Sequence, residues 1–157
     1  MPGCIAKARK EFGHEIPARQ QLSTYPNIPP KYEAKVQYTE QPDESPLLDK
    51  DGKTFIQQVS GKFLYLGRAV DVTILTALSA LASQQAAPTE ETKRRTKQLL
   101  DYLATKEEAI LTYRASNMIL AVHSDTSYLS ERQAKGRVGG ISFCQETTQS
   151  PLTIVQF

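Results

Sequence analysis

Proline placement is the feature that most restricts how this chain can fold. Seven of its nine prolines precede residue 53, and six of these seven lie between residues 17 and 46. Because proline lacks an amide donor and fixes φ, it disfavours long helices and central strands. We therefore predict that residues 1–53 form a Pro-rich extended connector, either lying over a surface or forming a disordered tail.

Helical periodicity begins at Thr54 and predicts a three-helix segment. The first helix ends at Gly67, and its apolar face comprises Phe55, Val59, Phe63 and Leu66. Asp71 is the predicted cap of the second helix, whose apolar periodicity ends over residues 83–85. Thr89 caps the third helix. Its basic side is either simply solvated or in contact with phosphates, and comprises Lys93, Arg94, Arg95 and Lys97.

Apolar runs with strand character follow the helices. They predict strands over residues 109–113, 118–124, 137–144 and 152–157. The order of elements predicts an α+β fold with three parts along the chain. Residues 1–53 are the connector, residues 54–106 are a helical connection segment, and residues 107–157 contain the sheet.

Composition and charge argue against several classes of protein. The chain has 19 Lys and Arg against 17 Asp and Glu, a net charge of +2, and so lacks the strong basic excess typical of nucleic-acid-binding domains. No apolar run approaches the roughly 18 residues of a membrane span, and residues 1–15 lack the apolar block of a secretory signal. Cys4 and Cys144 are expected to be reduced thiols of an intracellular protein.

One short segment carries candidate chemistry. The apolar run 118–122 leads through His123 to Asp125, and alternation along a strand places both side chains on one face. A carboxylate at the end of a buried strand is partly desolvated and favours a cation. Asp125 is therefore either a metal ligand or the cap of a turn. His123 is either a ligand or an ordinary half-buried histidine.

A family resemblance involves this same segment. Residues 123–131, His-Ser-Asp-Thr-Ser-Tyr-Leu-Ser-Glu, and residues 135–143, Lys-Gly-Arg-Val-Gly-Gly-Ile-Ser-Phe, resemble the start of the ribonuclease H domain of copia-type retrotransposon polyproteins. Residues 55–71, 77–83 and 97–103 resemble the segment that joins the reverse transcriptase to that domain. The resemblance implies the junction of the two domains, truncated at both ends.

The resemblance also implies a chemistry. Ribonucleases H cleave the RNA strand of RNA–DNA hybrids with two Mg²⁺ ions held by several carboxylates. Only Asp125 matches such a position, as a catalytic metal ligand, whereas Glu131 is expected in the hairpin loop and Glu146 in a turn, both of them solvated. The family is enzymatic, but one carboxylate cannot hold two Mg²⁺ ions. The chain is therefore expected to contain part of a ribonuclease H-like sheet, to be catalytically incomplete and to bind Mg²⁺ weakly.

Candidate nucleic-acid contacts lie in the predicted hairpin, at Arg132, Lys135 and Arg137. Any binding of an RNA–DNA hybrid through them is expected to be weak. Gly139 and Gly140 either let a nucleic-acid backbone approach closely or mark a bulge or bend in an edge strand.

Two other hypotheses use the same features. In the first, a host cell has retained the chain as a non-enzymatic interaction module, whose exposed sheet face or Pro-rich connector binds a protein. The unprotected sheet also favours self-association, and no membrane partner is expected. In the second, another chain supplies the missing carboxylates and completes an enzyme.

Overall fold

The structure is a computed structural model that describes residues 3–26, 43–112, 114–131 and 135–145. The chain contains both helices and an antiparallel sheet, which confirms the predicted α+β class. It divides into two units. In the first unit the described residues are 3–26 and 43–111, and in the second they are 112, 114–131 and 135–145. The predicted strand over residues 152–157 lies outside the described residues.

The first unit, called here the helical unit, packs its helices around one core. Its elements are α1 (Cys4–Glu11), α2 (Lys50–Ala69), a short 3-10 helix (Val72–Ile74), α3 (Leu75–Gln84) and α4 (Glu90–Thr105). Each α-helix contributes side chains to the buried cluster, which includes Ile5, Ala8, Val59, Phe63, Leu66, Leu78, Leu81, Leu99 and Leu103. None of the described helices is long and apolar enough to cross a membrane.

The connector prediction is wrong over the first helix. Residues 4–11 contain no proline, and α1 begins after Gly3, whose φ of 68° lies in the left-handed region that glycine adopts readily. Ile5 and Ala8, three residues apart on one helix face, are buried in the core. The N-terminal residues therefore belong to the helical unit and are not an extended connector.

Helix α2 starts earlier and ends later than predicted. Asp49 caps it by accepting a hydrogen bond from the amide of Gly52 at 2.8 Å. The helix then continues through Gly67, its predicted end, to Ala69. A Cβ at Gly67 would lie 3.1 Å from Leu78 Cδ1 and 3.2 Å from Ile74 Cγ1. Glycine therefore permits the close packing of α2 against the next two elements and does not terminate the helix.

The predicted cap at Thr89 is confirmed, and Asp71 caps the short 3-10 helix that leads into α3. Asp71 accepts a hydrogen bond from the amide of Thr73 at 3.1 Å, and the Thr73 hydroxyl lies 3.2 Å from the hydroxyl of Tyr102 on α4. Thr89 caps α4 and forms a capping box with Thr92. These local hydrogen bonds satisfy amides that the first turn of a helix leaves without intrahelical partners.

The start of α4 also donates hydrogen bonds to residues that precede α2. The amides of its first two residues donate to the Pro46 carbonyl at 3.0 Å and to Ser45 Oγ at 3.2 Å. Asp43 accepts hydrogen bonds from the amide of Ser45 and from the hydroxyl of Thr89. Residues 43–48 are therefore fixed to α4 by polar contacts.

The strand predicted over residues 109–113 is wrong for its described residues. Residues 109–112 are neither helical nor paired, and Ile110 is 84% exposed. The apolar run Ala-Ile-Leu has strand propensity, but propensity alone does not form a strand without a neighbour to pair with.

Candidate functional site

The second unit, called here the hairpin unit, contains β1 (Ile119–Glu131) and β2 (Lys135–Gln145). The two strands pair antiparallel in continuous register from Ile119 opposite Gln145 to Ser127 opposite Arg137, and an irregularity follows before Glu131. The predicted strand 137–144 is confirmed. The predicted strand 118–124 is present but runs seven residues further than expected, from 124 to 131.

Directly paired residues share a face of a sheet, and successive residues alternate between faces. The register therefore defines two faces. The first, called the aspartate face, comprises Ile119, Ala121, His123, Asp125, Gly139, Ile141, Phe143 and Gln145. The second, called the valine face, comprises Leu120, Val122, Ser124, Thr126, Val138, Gly140, Ser142 and Cys144.

Asp125 lies inside β1 and not after its end. It stands opposite Gly139, and its side chain is exposed. Its Oδ1 accepts a hydrogen bond from the amide of Thr126 at 2.8 Å. The expected partial desolvation and the turn-cap alternative are both wrong, because pairing with β2 continues beyond this position and keeps the backbone extended. Its assignment as a metal ligand stays a prediction.

His123 shares the aspartate face with Asp125, as the alternation predicts. Its ring stacks on that of Phe143, with centroids 5.5 Å apart and planes at 3° to each other. The two residues are diagonal neighbours, because Phe143 stands directly opposite Ala121. The imidazole is exposed, not half-buried, and its ring contact supports the pairing of the two strands.

Gly139 and Gly140 lie in the regular part of the ladder, so the bulge interpretation is wrong. A Cβ at Gly140 would lie 3.2 Å from the carbonyl oxygen of His123, which makes this position tight. A Cβ at Gly139 would meet no described atom within 4 Å. Gly139 therefore leaves open space on the face that carries Asp125, and the prediction that a backbone approaches here is not tested.

Two of the three candidate basic residues lie within the described part of the chain. Lys135 and Arg137 lie in β2, opposite Glu131 and Ser127 respectively. Arg132 lies outside the described residues, and so does Glu146. Glu131 ends β1 and is paired with Lys135, so its expected place in the hairpin loop is wrong.

The described residues do not fit a Mg²⁺ site. Among them there is no group of three or more His, Cys, Asp or Glu side chains that could hold a metal ion. Asp125 supplies a single exposed carboxylate, whereas Mg²⁺ needs several fixed oxygen ligands in near-octahedral geometry. Both cysteines are free thiols, one half-buried and one exposed.

Sequence reasoning found only the Glu91–Arg95 pair of a larger charged cluster in the helical unit. Arg95 was expected on the solvated side of its helix, but its side chain is only 6% exposed. Its Nε donates to Glu91 Oε1 at 2.8 Å, its Nη1 donates to the Tyr25 hydroxyl, and its guanidinium lies 5.1 Å from the centre of the Tyr25 ring. The four-residue spacing of Glu91 and Arg95 signals their pair, but nothing local signals the tyrosine 70 residues away.

The same cluster shifts the pKa values of Glu91 and Arg94. Arg94 binds both oxygens of Glu91, at 2.6 and 2.7 Å. Hydrogen bonds from Arg94, reinforced by Arg95, lower the pKa of Glu91 to about 2, against an opposing effect of burial. The reciprocal hydrogen bond from Glu91 raises the pKa of Arg94. This cluster fixes the Tyr25 segment to α4, and its charged groups are hydrogen-bonded to one another.

A second polar contact fixes the N-terminal segment to the end of α4. His14 Nε2 lies 2.8 Å from Asp101 Oδ1, and Arg9 lies 3.3 Å from a carboxylate oxygen of Glu107. These pairs join residues that are far apart in sequence, so periodicity could not reveal them. Both clusters stabilise the fold and neither contains the residues singled out for chemistry.

Comparison of the chain with models of protein families, with curated proteins and with solved structures finds no match in any of the three.

Proposed function

We propose that this chain is part of a retrotransposon reverse transcriptase and ribonuclease H polyprotein, from the junction between the two domains. In this proposal, the hairpin unit is the first part of a ribonuclease H-like sheet. Asp125 is one of the carboxylates that hold Mg²⁺ in an intact relative. The observation that carries the proposal is an exposed carboxylate on an antiparallel hairpin, opposite a glycine that adds no side chain to the same face.

The proposed activity of this chain by itself is binding of RNA–DNA hybrid without cleavage. Hydrolysis by two metal ions requires several carboxylates, and the described residues bring no such group together. Arg132, Lys135 and Arg137 concentrate positive charge within six residues of the hairpin. Such charge attracts phosphates in a sequence-independent and salt-dependent manner. The small net charge of +2 agrees with weak binding.

The test is a titration of a fluorescently labelled RNA–DNA hybrid with the full chain at several salt concentrations, read by fluorescence anisotropy. We expect weak binding that falls steeply with salt. Replacing Arg132, Lys135 and Arg137 together by Ala should flatten the plot of log affinity against log salt by about three, roughly one for each lost phosphate contact.

A matched control removes the same charge from the helical unit, by replacing Lys10, Lys50 and Arg68 by Ala. These side chains are exposed and lie outside the hairpin, so we expect an unchanged salt dependence. Absence of hybrid binding at low salt, or an equal loss in both triple variants, would overturn the proposed function. Mg²⁺-dependent release of labelled RNA that is abolished by Asp125→Asn would overturn the proposed lack of cleavage.

The interaction-module alternative is supported by a different observation, the exposure of apolar side chains on both faces of the hairpin. Leu120 and Val138 are 67% and 78% exposed on the valine face, and Ile141 is 44% exposed on the aspartate face. Surfaces of this kind often mark sites of protein association. This alternative requires a folded protein with no affinity for hybrid, so a circular dichroism spectrum typical of an unfolded chain would exclude it.

A further inference from the structure

Residues 14–26, called here the strap, cross the surface of the helical unit without forming a helix or a strand. None of the residues in this range is buried, and its two aliphatic side chains, Ile16 and Leu22, are 62% and 75% exposed. Helix α1, which precedes the strap, instead buries Ile5 and Ala8 in the core. The middle of the strap is therefore not held in place by the burial of apolar side chains.

Polar contacts with one stripe of α4 hold the strap instead. The helix residues involved are three or four positions apart, so they lie along one side of α4. The pairs are His14 with Asp101 at 2.8 Å, the Gln21 amide with Thr105 Oγ1 at 3.2 Å, the Ser23 carbonyl with Gln98 Nε2 at 3.3 Å, and Tyr25 with Arg95. Segments with few buried apolar contacts open at a lower free energy than the core of a protein.

Release of the strap would leave the charges beneath it with partners. Arg95 would keep the hydrogen bond from its Nε to Glu91 Oε1, because both residues belong to α4. The Asp101 side chain is already 36% exposed, so water can replace His14 as its partner. Exchange of such hydrogen bonds for bonds to water is nearly balanced in free energy. Opening of the strap therefore costs far less than unfolding of the helices.

The start of the strap has the features of a hinge. The Phe12 ring packs against the rings of Phe55 and Phe63, with centroids 5.9 and 6.4 Å away, and so fixes the end of α1 to the core. Gly13 follows with a φ of 60°, in the left-handed region that glycine adopts readily. A Cβ there would meet no described atom within 4 Å. The strap can thus detach at Gly13 while α1 stays in place.

We propose that the strap is a reversible cover of α4, which opens as a unit while the helical core stays folded and thereby controls access to Arg95. In the closed state Tyr25 lies over the guanidinium, and the Arg95 side chain is only 6% exposed. In the open state the guanidinium reaches solvent and remains paired with Glu91.

Limited proteolysis of the full chain by an arginine-specific protease tests the proposal at Arg19, which is exposed within the strap. A protease binds several residues in extended form, so it cuts this bond only when the strap leaves the surface. We expect cutting at least about tenfold slower than in a synthetic peptide of residues 12–27. The rate should change little in low urea, because local opening exposes little surface, whereas unfolding of the core accelerates steeply with urea.

Substitutions within the strap separate its polar contacts from its apolar side chains. Tyr25→Ala should raise the rate of cutting at Arg19 about tenfold, and His14→Ala should raise it several-fold, while circular dichroism at 222 nm stays unchanged. Leu22→Ala is the matched control, because it truncates an exposed side chain of the same segment and should leave the rate unchanged.

Access to the covered cation is measured separately, by phenylglyoxal modification of Arg95 mapped by mass spectrometry. This modification should accelerate in Tyr25→Ala and not in Leu22→Ala. Cutting at Arg19 as fast as in the peptide, a urea dependence as steep as that of core unfolding, or equal rates for the Tyr25 and Leu22 variants would each overturn the proposal. Modification of Arg95 that does not follow the rate of cutting would overturn the control of access.

Discussion

The helical unit and the hairpin unit differ in where their apolar side chains lie. In the helical unit, Val59, Leu81 and Leu99 are fully buried in one cluster to which all four α-helices contribute. In the hairpin unit, the large aliphatic side chains of the paired strands are 40–78% exposed, and the ring of Phe143 is half-buried. Comparable residue types therefore have opposite environments in the two units.

The difference shows that two strands can pair through their backbones without forming a buried core. Helices α2, α3 and α4 each bury one stripe against the others, so their hydrogen bonds are protected by packing. The hairpin has a regular ladder but only two described strands, and an isolated two-stranded hairpin is marginally stable in water.

The largest expected contrast comes from removing one apolar side chain in each unit. Phe63→Ala leaves a cavity in the helical core and should cost about 3–5 kcal/mol of the free energy of unfolding. Leu120→Ala, measured in dilute solution, removes an exposed side chain and should cost less than about 1 kcal/mol. Urea denaturation followed by circular dichroism at 222 nm measures both changes. Similar costs for the two variants would contradict the contrast drawn here.

Acid should destabilise the helical unit through Glu91. Its pKa falls from 4.5 unfolded to about 2 folded, so its carboxylate contributes stability that is fully present above pH 4.5 and lost as pH falls towards 2. With partial exposure allowed for, the loss should be roughly 1–3 kcal/mol. Glu91→Gln should remove this pH dependence. Glu90→Gln, whose ion pair with Lys93 is long at 3.9 Å, should keep it.

Replacing either of two glycines in α2 by alanine should change stability by a smaller amount, with opposite signs at the two positions. Gly67→Ala gains helix propensity but places a Cβ against the buried side chains of Ile74 and Leu78, so it should lower stability by about 1 kcal/mol. At Gly61 an added Cβ would meet no described atom within 4 Å. Gly61→Ala should therefore raise stability by about 0.5–1 kcal/mol. Thermal melting of both variants tests the two signs.

The smallest expected change distinguishes a structural carboxylate from a candidate functional one. Asp71 is buried and caps a helix, so Asp71→Ala should cost about 1 kcal/mol. Asp125 is exposed in the hairpin, and Asp125→Ala should change stability by less than about 0.5 kcal/mol. A large loss for Asp125→Ala in urea denaturation would show that this side chain serves the fold.

Local signals in the sequence predicted the caps at Asp71 and Thr89, but neither the start nor the end of α2. Asp71 and Thr89 act as caps where the sequence places them, because a cap bonds an amide two or three residues away. Gly67 predicts a helix end, yet α2 continues through it and packs closely against Ile74 and Leu78. The role of a glycine inside a helix depends on what approaches it, and the sequence does not contain that information.

In the candidate site, too, local patterns predicted some features and tertiary pairing decided others. Alternation placed His123 and Asp125 on one face, and the strand over residues 137–144 was found by its composition. The length of β1, and with it the place of Asp125 within a strand, depends on pairing with β2. The assignment of Asp125 as a metal ligand rests on the family resemblance and stays a prediction.

The sequence by itself determined the caps at Asp71 and Thr89, the apolar stripes of α2, α3 and α4, and the shared face of His123 and Asp125, because each depends on neighbours within a few residues. The tertiary structure decided that Arg95 is buried, that α1 joins the core and that residues 109–112 remain unpaired. Each of these outcomes requires a partner distant in sequence, or its absence among the described residues. Tyr25 covers Arg95 from 70 residues away, and no local pattern can specify such a contact.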